Sequence, residues 1–111
     1  MTKTLFTLVD HNGSLTESGL TLIAAAREII QHDGVDYELR LAPDGKGFDL
    51  WTRQQVANRP WTKTDMFSLA ADAADAEIEI LTRFAEDSRR HGRFSIMSDE
   101  SYAAILKEID A

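Results

Sequence analysis

Along the chain the apolar positions change period several times, and each change predicts a new element. Thr4 to Val9 is rich in β-formers and stops at Asp10-His11-Asn12-Gly13, a turn-forming cluster, which predicts a strand. Ser14 followed three residues later by Glu17 is a capping-box pair. Behind it Leu15, Leu22, Ile23, Ala26, Ile29 and Ile30 fall on one side of a helical wheel, so the spacing predicts a helix from Leu15 to His32, stopped by Asp33-Gly34. Val35, Tyr37, Leu39 and Leu41 then alternate with Asp36, Glu38 and Arg40, the period-two pattern of a strand with one wet face. Pro43-Asp44-Gly45-Lys46-Gly47 supplies a turn, and Phe48, Leu50 and Thr52 alternate in a return strand, completing a β-hairpin.

Thr62 is placed to cap a second helix running to His91, with Trp61 set to pack on Met66 and Gly92 as the stop. Arg93 to Met97 reads as a short strand. Ser98, Asp99 and Glu100 open a last helix on which Tyr102, Ile105, Leu106 and Ile109 share one face. The expected order is therefore β-α-β-β-α-β-α. It predicts a two-layer α+β sandwich, an antiparallel sheet with helices on one face, either ferredoxin-like or a three-stranded variant. With no repeat, linker or low-complexity tract, residues 1–111 read as one domain.

Charge refines this picture. Residues 1–64 carry seven basic and eight acidic groups, whereas residues 65–111 carry five basic and eleven acidic, so nearly all of the net charge of −7 lies in the second part. Such a balance argues against direct binding of nucleic acid, which rests on Lys and Arg neutralising phosphates. The longest apolar run, Leu22 to Ala26, is far too short for a membrane span, and no secretory signal opens the chain, so the expectation is a cytoplasmic protein off the membrane. The absence of cysteine removes thiol chemistry and thiolate metal sites.

Two surfaces stand out. Trp51, Arg53, Arg59 and Trp61 lie in a stretch without an acid between Asp49 and Asp65, and period-two counting puts Trp51 on the hairpin's polar face with Glu38 and Arg40. Tryptophan and arginine together are enriched where proteins make their strongest contacts. On the second expected helix Asp72, Asp75, Glu79 and Glu86, in line with Asp65, form an acidic stripe opposite an apolar face of Phe67, Ala70, Ala73, Ala74, Ile78, Leu81, Phe84 and Ala85. The stripe is either a solvated helix face or a mimic of a phosphate backbone. Glu77 falls amid the apolar positions, where an unpaired charge is costly; an arginine partner, a partner chain or a pocket would each account for it.

The stretch Tyr37-Glu38-Leu39, Asp44-Gly45 and Phe48-Asp49-Leu50-Trp51-Thr52-Arg53 resembles part of the WGR domain, although the glycine of that motif is absent here. The resemblance is confined to the hairpin and implies nucleic-acid association at most.

Catalytic and cofactor motifs are missing: no P-loop, no dinucleotide glycine motif, no nucleophile elbow and no zinc-protease helix. His11, His32 and His91 lack metal-ligand spacing, and Arg89-Arg90-His91-Gly92-Arg93 complements a helix C-terminus. The leading expectation is a small intracellular protein–protein interaction module without catalysis, cofactor or metal, acting on a protein partner or, through an uncovered sheet edge, on itself as a homodimer. The alternatives are an acidic nucleic-acid mimic of the phage or mobile-element type that inhibits a nucleic-acid-binding protein, and a small enzyme built in a ferredoxin-like pocket.

Overall fold

The computed structural model describes residues 4–13, 15–56, 58–91 and 94–110. Its elements are β1 (Phe6–Asp10), β2 (Thr16–Leu20), α1 (Leu22–His32), β3 (Val35–Leu41), β4 (Phe48–Gln54), β5 (Thr62–Ser68), α2 (Ala73–His91), β6 (Phe94–Ser98) and α3 (Asp99–Asp110). The class is α+β as expected, but the single ferredoxin-like sheet is not present. The strands instead form two antiparallel three-stranded sheets, ordered β2-β1-β6 and β3-β4-β5.

Two of these strands replace the first turns of expected helices. Residues 16–20 pair with β1 instead of extending α1, and Gly19 shows why. Its φ of +75° is foreign to a helix, and it sits where the register slips by one residue between Phe6↔Leu20 and Leu8↔Glu17, a bulge that needs glycine's freedom. The helix starts only at Thr21, whose hydroxyl accepts the amide of Ala24 at 3.1 Å. Ser14 of the expected capping box lies outside the described residues, as do Gly92 and Arg93. At the other end the expected stop holds, with Asp33 as C-cap and Gly34 at φ +69°.

The second replacement is β5. Thr64, Met66 and Ser68 turn inward while Lys63, Asp65 and Phe67 turn outward, a period-two pattern that α-helical counting hides. Between Asp49↔Phe67 and Trp51↔Lys63 the ladder carries an irregularity, and Thr64 bridges it: its hydroxyl donates to the Leu50 carbonyl at 2.9 Å and accepts the Met66 amide at 3.1 Å. α2 therefore begins at Ala73, with Asp72 accepting the Ala74 amide through its carboxylate.

The hairpin forms in the expected register, Val35↔Gln54 through Leu41↔Phe48. Its turn closes through Ala42 N–H to Gly47 O and Gly45 N–H to Ala42 O. Gly47, at φ +83°, lies so close to β5 that a Cβ there would meet the Ser68 carbonyl oxygen at 2.1 Å.

The main core joins Leu8, Leu20, Phe94 and Ile96 of the first sheet to Ala25, Ala26, Ile29 and Ile30 of α1 and Leu81 and Ala85 of α2. Val35, Tyr37 and Phe84 pack against it from the side of the second sheet. The α1–α2 pair thus serves both sheets, and the molecule is a plate measuring 57 × 40 × 19 Å. Its radius of gyration of 16.0 Å exceeds the roughly 13 Å of a compact chain this long. The thinnest dimension is that of two layers.

The last helix opens as expected, with the Ser98 hydroxyl accepting the Ser101 amide at 3.1 Å. Asp99 anchors it: the carboxylate accepts the Thr7 hydroxyl at 2.7 Å and the Gly19 amide at 3.1 Å. Further along, the shared face is not buried; Ile105, Leu106 and Ile109 remain 42%, 43% and 72% exposed. No described helix is long and apolar enough to cross a membrane.

Candidate functional site

The second sheet has two unlike faces. Tyr37, Leu50, Met66 and Ser68 look toward the helices, whereas Asp36, Glu38, Arg40, Trp51, Arg53, Lys63 and Phe67 look the other way, paired across strands as Asp36↔Arg53, Glu38↔Trp51 and Trp51↔Lys63. On this outer face the Arg40 guanidinium lies 4.3 Å from the Trp51 ring centre and 5.5 Å from that of Trp61, and Arg53 lies 4.7 Å from Trp61. The four side chains form an interleaved ladder of rings and cations.

Each cation is also held from the side. Arg40 Nε donates to Glu38, and Arg53 Nη2 donates to Asp36 at 3.2 Å. The Gln55 amide donates to the other oxygen of Asp36 at 2.9 Å and, with Arg53, holds that carboxyl below its ordinary range. Stacking uses the face of a guanidinium while its N–H groups lie in the guanidinium plane, so an arginine can rest on tryptophan and still donate sideways. Lys63 adds a looser ion pair to Asp49 at 3.8 Å. Of the residues singled out in the sequence, the structure brings together Glu38, Arg40, Trp51, Arg53 and Trp61. Arg59 is not a rung of the ladder; it lies on the exposed β4–β5 connection and lines a neighbouring hollow with Arg53, Val56 and Pro60.

At the free edge of the same sheet a groove of about 520 Å³ runs past Arg27 and Gln31 of α1, Val35, Asp36 and Tyr37 of β3, and Arg53, Gln55 and Trp61. Consecutive strand residues point to opposite faces, so a groove touching Val35, Asp36 and Tyr37 together reaches both faces of the sheet around the start of β3. Glu77, the misfit of the sequence pattern, borders this region from α2. One of its oxygens accepts both Arg27 Nη2 and the Tyr37 hydroxyl, each at 2.9 Å. The Arg27 bond, more than any other effect, keeps the Glu77 carboxyl below its ordinary range, and burial lifts the Tyr37 phenol.

The acidic stripe is less uniform than helical counting implies. Asp65 belongs to β5, and Ile80, absent from the expected apolar face, is fully buried, while Ile78 is half exposed. Asp72 caps α2; Glu79 accepts Ser68 Oγ at 2.8 Å and Arg83 Nη2 at 2.6 Å; Glu86 meets Arg89 at 3.4 Å. Asp75 lies exposed in the first turn. Among the described residues no group of three or more His, Asp or Glu side chains is arranged to hold a metal ion. Arg27, Gln31, Tyr37 and Gln55 went unmarked in the sequence because Tyr37 reads as a core residue and Arg27 and Gln31 as a solvated helix face; only their convergence around one strand edge distinguishes them.

No family model, curated protein or solved structure matches this chain.

Proposed function

We propose that this protein is a non-catalytic protein-binding module and that its contact surface is the outer face of the β3-β4-β5 sheet. The observation that carries the reading is the ladder of Trp51, Arg40, Trp61 and Arg53 on the sheet face turned away from the described helices α1 and α2. Side chains already fixed by stacking and ion pairs lose little freedom on association, and rigid aromatic–arginine groups are the usual anchors of protein interfaces. The carboxylates of α2 favour the mimic reading less. Three of the four, Asp72, Glu79 and Glu86, are engaged by the protein's own amides, hydroxyl and arginines, which spends the charge a phosphate mimic must present.

The test is capture of partners from source-cell lysate on immobilised protein, comparing the wild type, a Trp51→Ala/Trp61→Ala variant and an Asp72→Lys/Asp75→Lys/Glu79→Lys variant. The expected result is a partner lost with the tryptophans and kept with the reversed acids. The opposite pattern removes the sheet face from consideration.

A further inference from the structure

We infer that the groove along the free edge of β3 takes an extended acidic peptide segment, added as a fourth strand beside β3, with carboxylates at two adjacent positions received by Arg27 and Arg53. The inference rests on the binding-module reading and names the chemistry of the partner. In the order β3-β4-β5 the outer side of β3 has no strand neighbour among the described residues, so its alternate amides and carbonyls face outward. Residues 35–40 are all half-buried, as befits an edge.

The groove wraps that edge. Arg27 and Tyr37 stand on the helix side, whereas Asp36, Arg53 and Trp61 stand on the outer side. A strand laid along the edge sends successive side chains to these two sides in turn. One residue of the added strand therefore reaches Arg27, and the next reaches Arg53 over Trp61.

Hydrogen-bond inventory selects the side chains. The lining is rich in donors: two guanidiniums, the amides of Gln31 and Gln55, and the Trp61 indole. Each oxygen of Asp36 already accepts one bond, from Arg53 and from Gln55, and one oxygen of Glu77 takes both Arg27 and Tyr37. Arg27 and Arg53 each use a single Nη2 in these bonds, and their side chains are 53% and 41% exposed, so N–H groups remain for a ligand. N–H groups outnumber acceptor oxygens in this lining, and carboxylates offer lone pairs in the geometry a guanidinium prefers.

The experiment is selection of a random dodecapeptide display library on the full chain, followed by calorimetric titration of the winning peptide and hydrogen exchange of residues 35–41. Enrichment of an adjacent acidic pair supports the proposal, as do slowed exchange in β3 and affinity about tenfold lower for Arg27→Gln and for Arg53→Gln. A consensus without that pair, no enrichment, or an acidic peptide indifferent to Arg27→Gln overturns it. Arg27→Lys keeps the charge beside Glu77 and loses the fork, so it should weaken binding in the same direction even if Arg27→Gln folds poorly. Arg27 lies off the tryptophan face. A cellular partner lost with Trp51→Ala/Trp61→Ala but kept by Arg27→Gln therefore refutes the groove and leaves the binding module standing.

Discussion

Glu77 of α2 and Arg27 of α1 meet at 2.9 Å, and the same carboxylate oxygen receives the hydroxyl of Tyr37, so one acidic group ties both helices to the edge of the second sheet. Arg27 is more than half exposed, and water and salt screen the pair, which limits its worth.

Glu77→Gln should accordingly lower stability by about 1 kcal/mol or less at neutral pH. Because Arg27 depresses the Glu77 carboxyl in the folded state, that contribution is complete above the unfolded value near 4.5 and is lost as pH falls through the lower folded value. Thermal melts of wild type and variant should differ at pH 7 and draw together as the pH falls below the unfolded value and through the lower folded one.

Gly47→Ala should be severe. The substitution strains a residue at φ +83° and pushes a methyl against the Ser68 carbonyl oxygen, a backbone atom that cannot swing aside. A loss above about 2 kcal/mol is expected in urea titration. Gly45→Ala meets no atom within 4 Å and bears only the cost of its φ of +76°, about 1 kcal/mol.

Thr21→Ala should cost about 1 kcal/mol, because the Ala24 amide loses its cap. Glu17→Ala, which would cost as much if a capping box opened the helix at residue 14, should change stability by less than about 0.5 kcal/mol. Equal losses in denaturant unfolding would mean that the helix starts earlier than Leu22.

Asp10→Ala should cost about 2–3 kcal/mol, since the side chain is 2% exposed and its two oxygens receive the Asn12 amide at 2.9 Å and meet His32 Nε2 at 3.1 Å. Asp75→Ala, at an exposed first-turn position of α2, is the control and should stay within about 0.5 kcal/mol of wild type in the same measurement.

The sequence revealed elements whose pattern is local. The 35–54 hairpin, the Asp33-Gly34 stop and the Ser98 cap each depend on neighbours a few residues apart, and all three appear where the pattern puts them. It concealed β2 and β5 because their reasons are distant. Gly19 looks like a tolerated helix residue until its bulge is seen against β1, and Thr64 looks like a surface threonine until it bridges the irregular ladder at Leu50. The tryptophan–arginine ladder was half legible: alternation put Trp51 beside Glu38 and Arg40, but only the strand identity of β5 brings Trp61 over Arg53. The groove was illegible, being assembled from α1, β3, the end of β4 and Trp61 just before β5.

Because β2-β1-β6 and β3-β4-β5 share no backbone ladder among the described residues, the α1–α2 pair is the packing that the two halves have in common. Such packing is short-ranged and yields all at once, whereas a continuous ladder frays strand by strand. Disturbance of the helix seam should therefore loosen the sheet that carries the ladder and groove from the one that anchors α3, with hydrogen exchange rising in the two sheets at different rates.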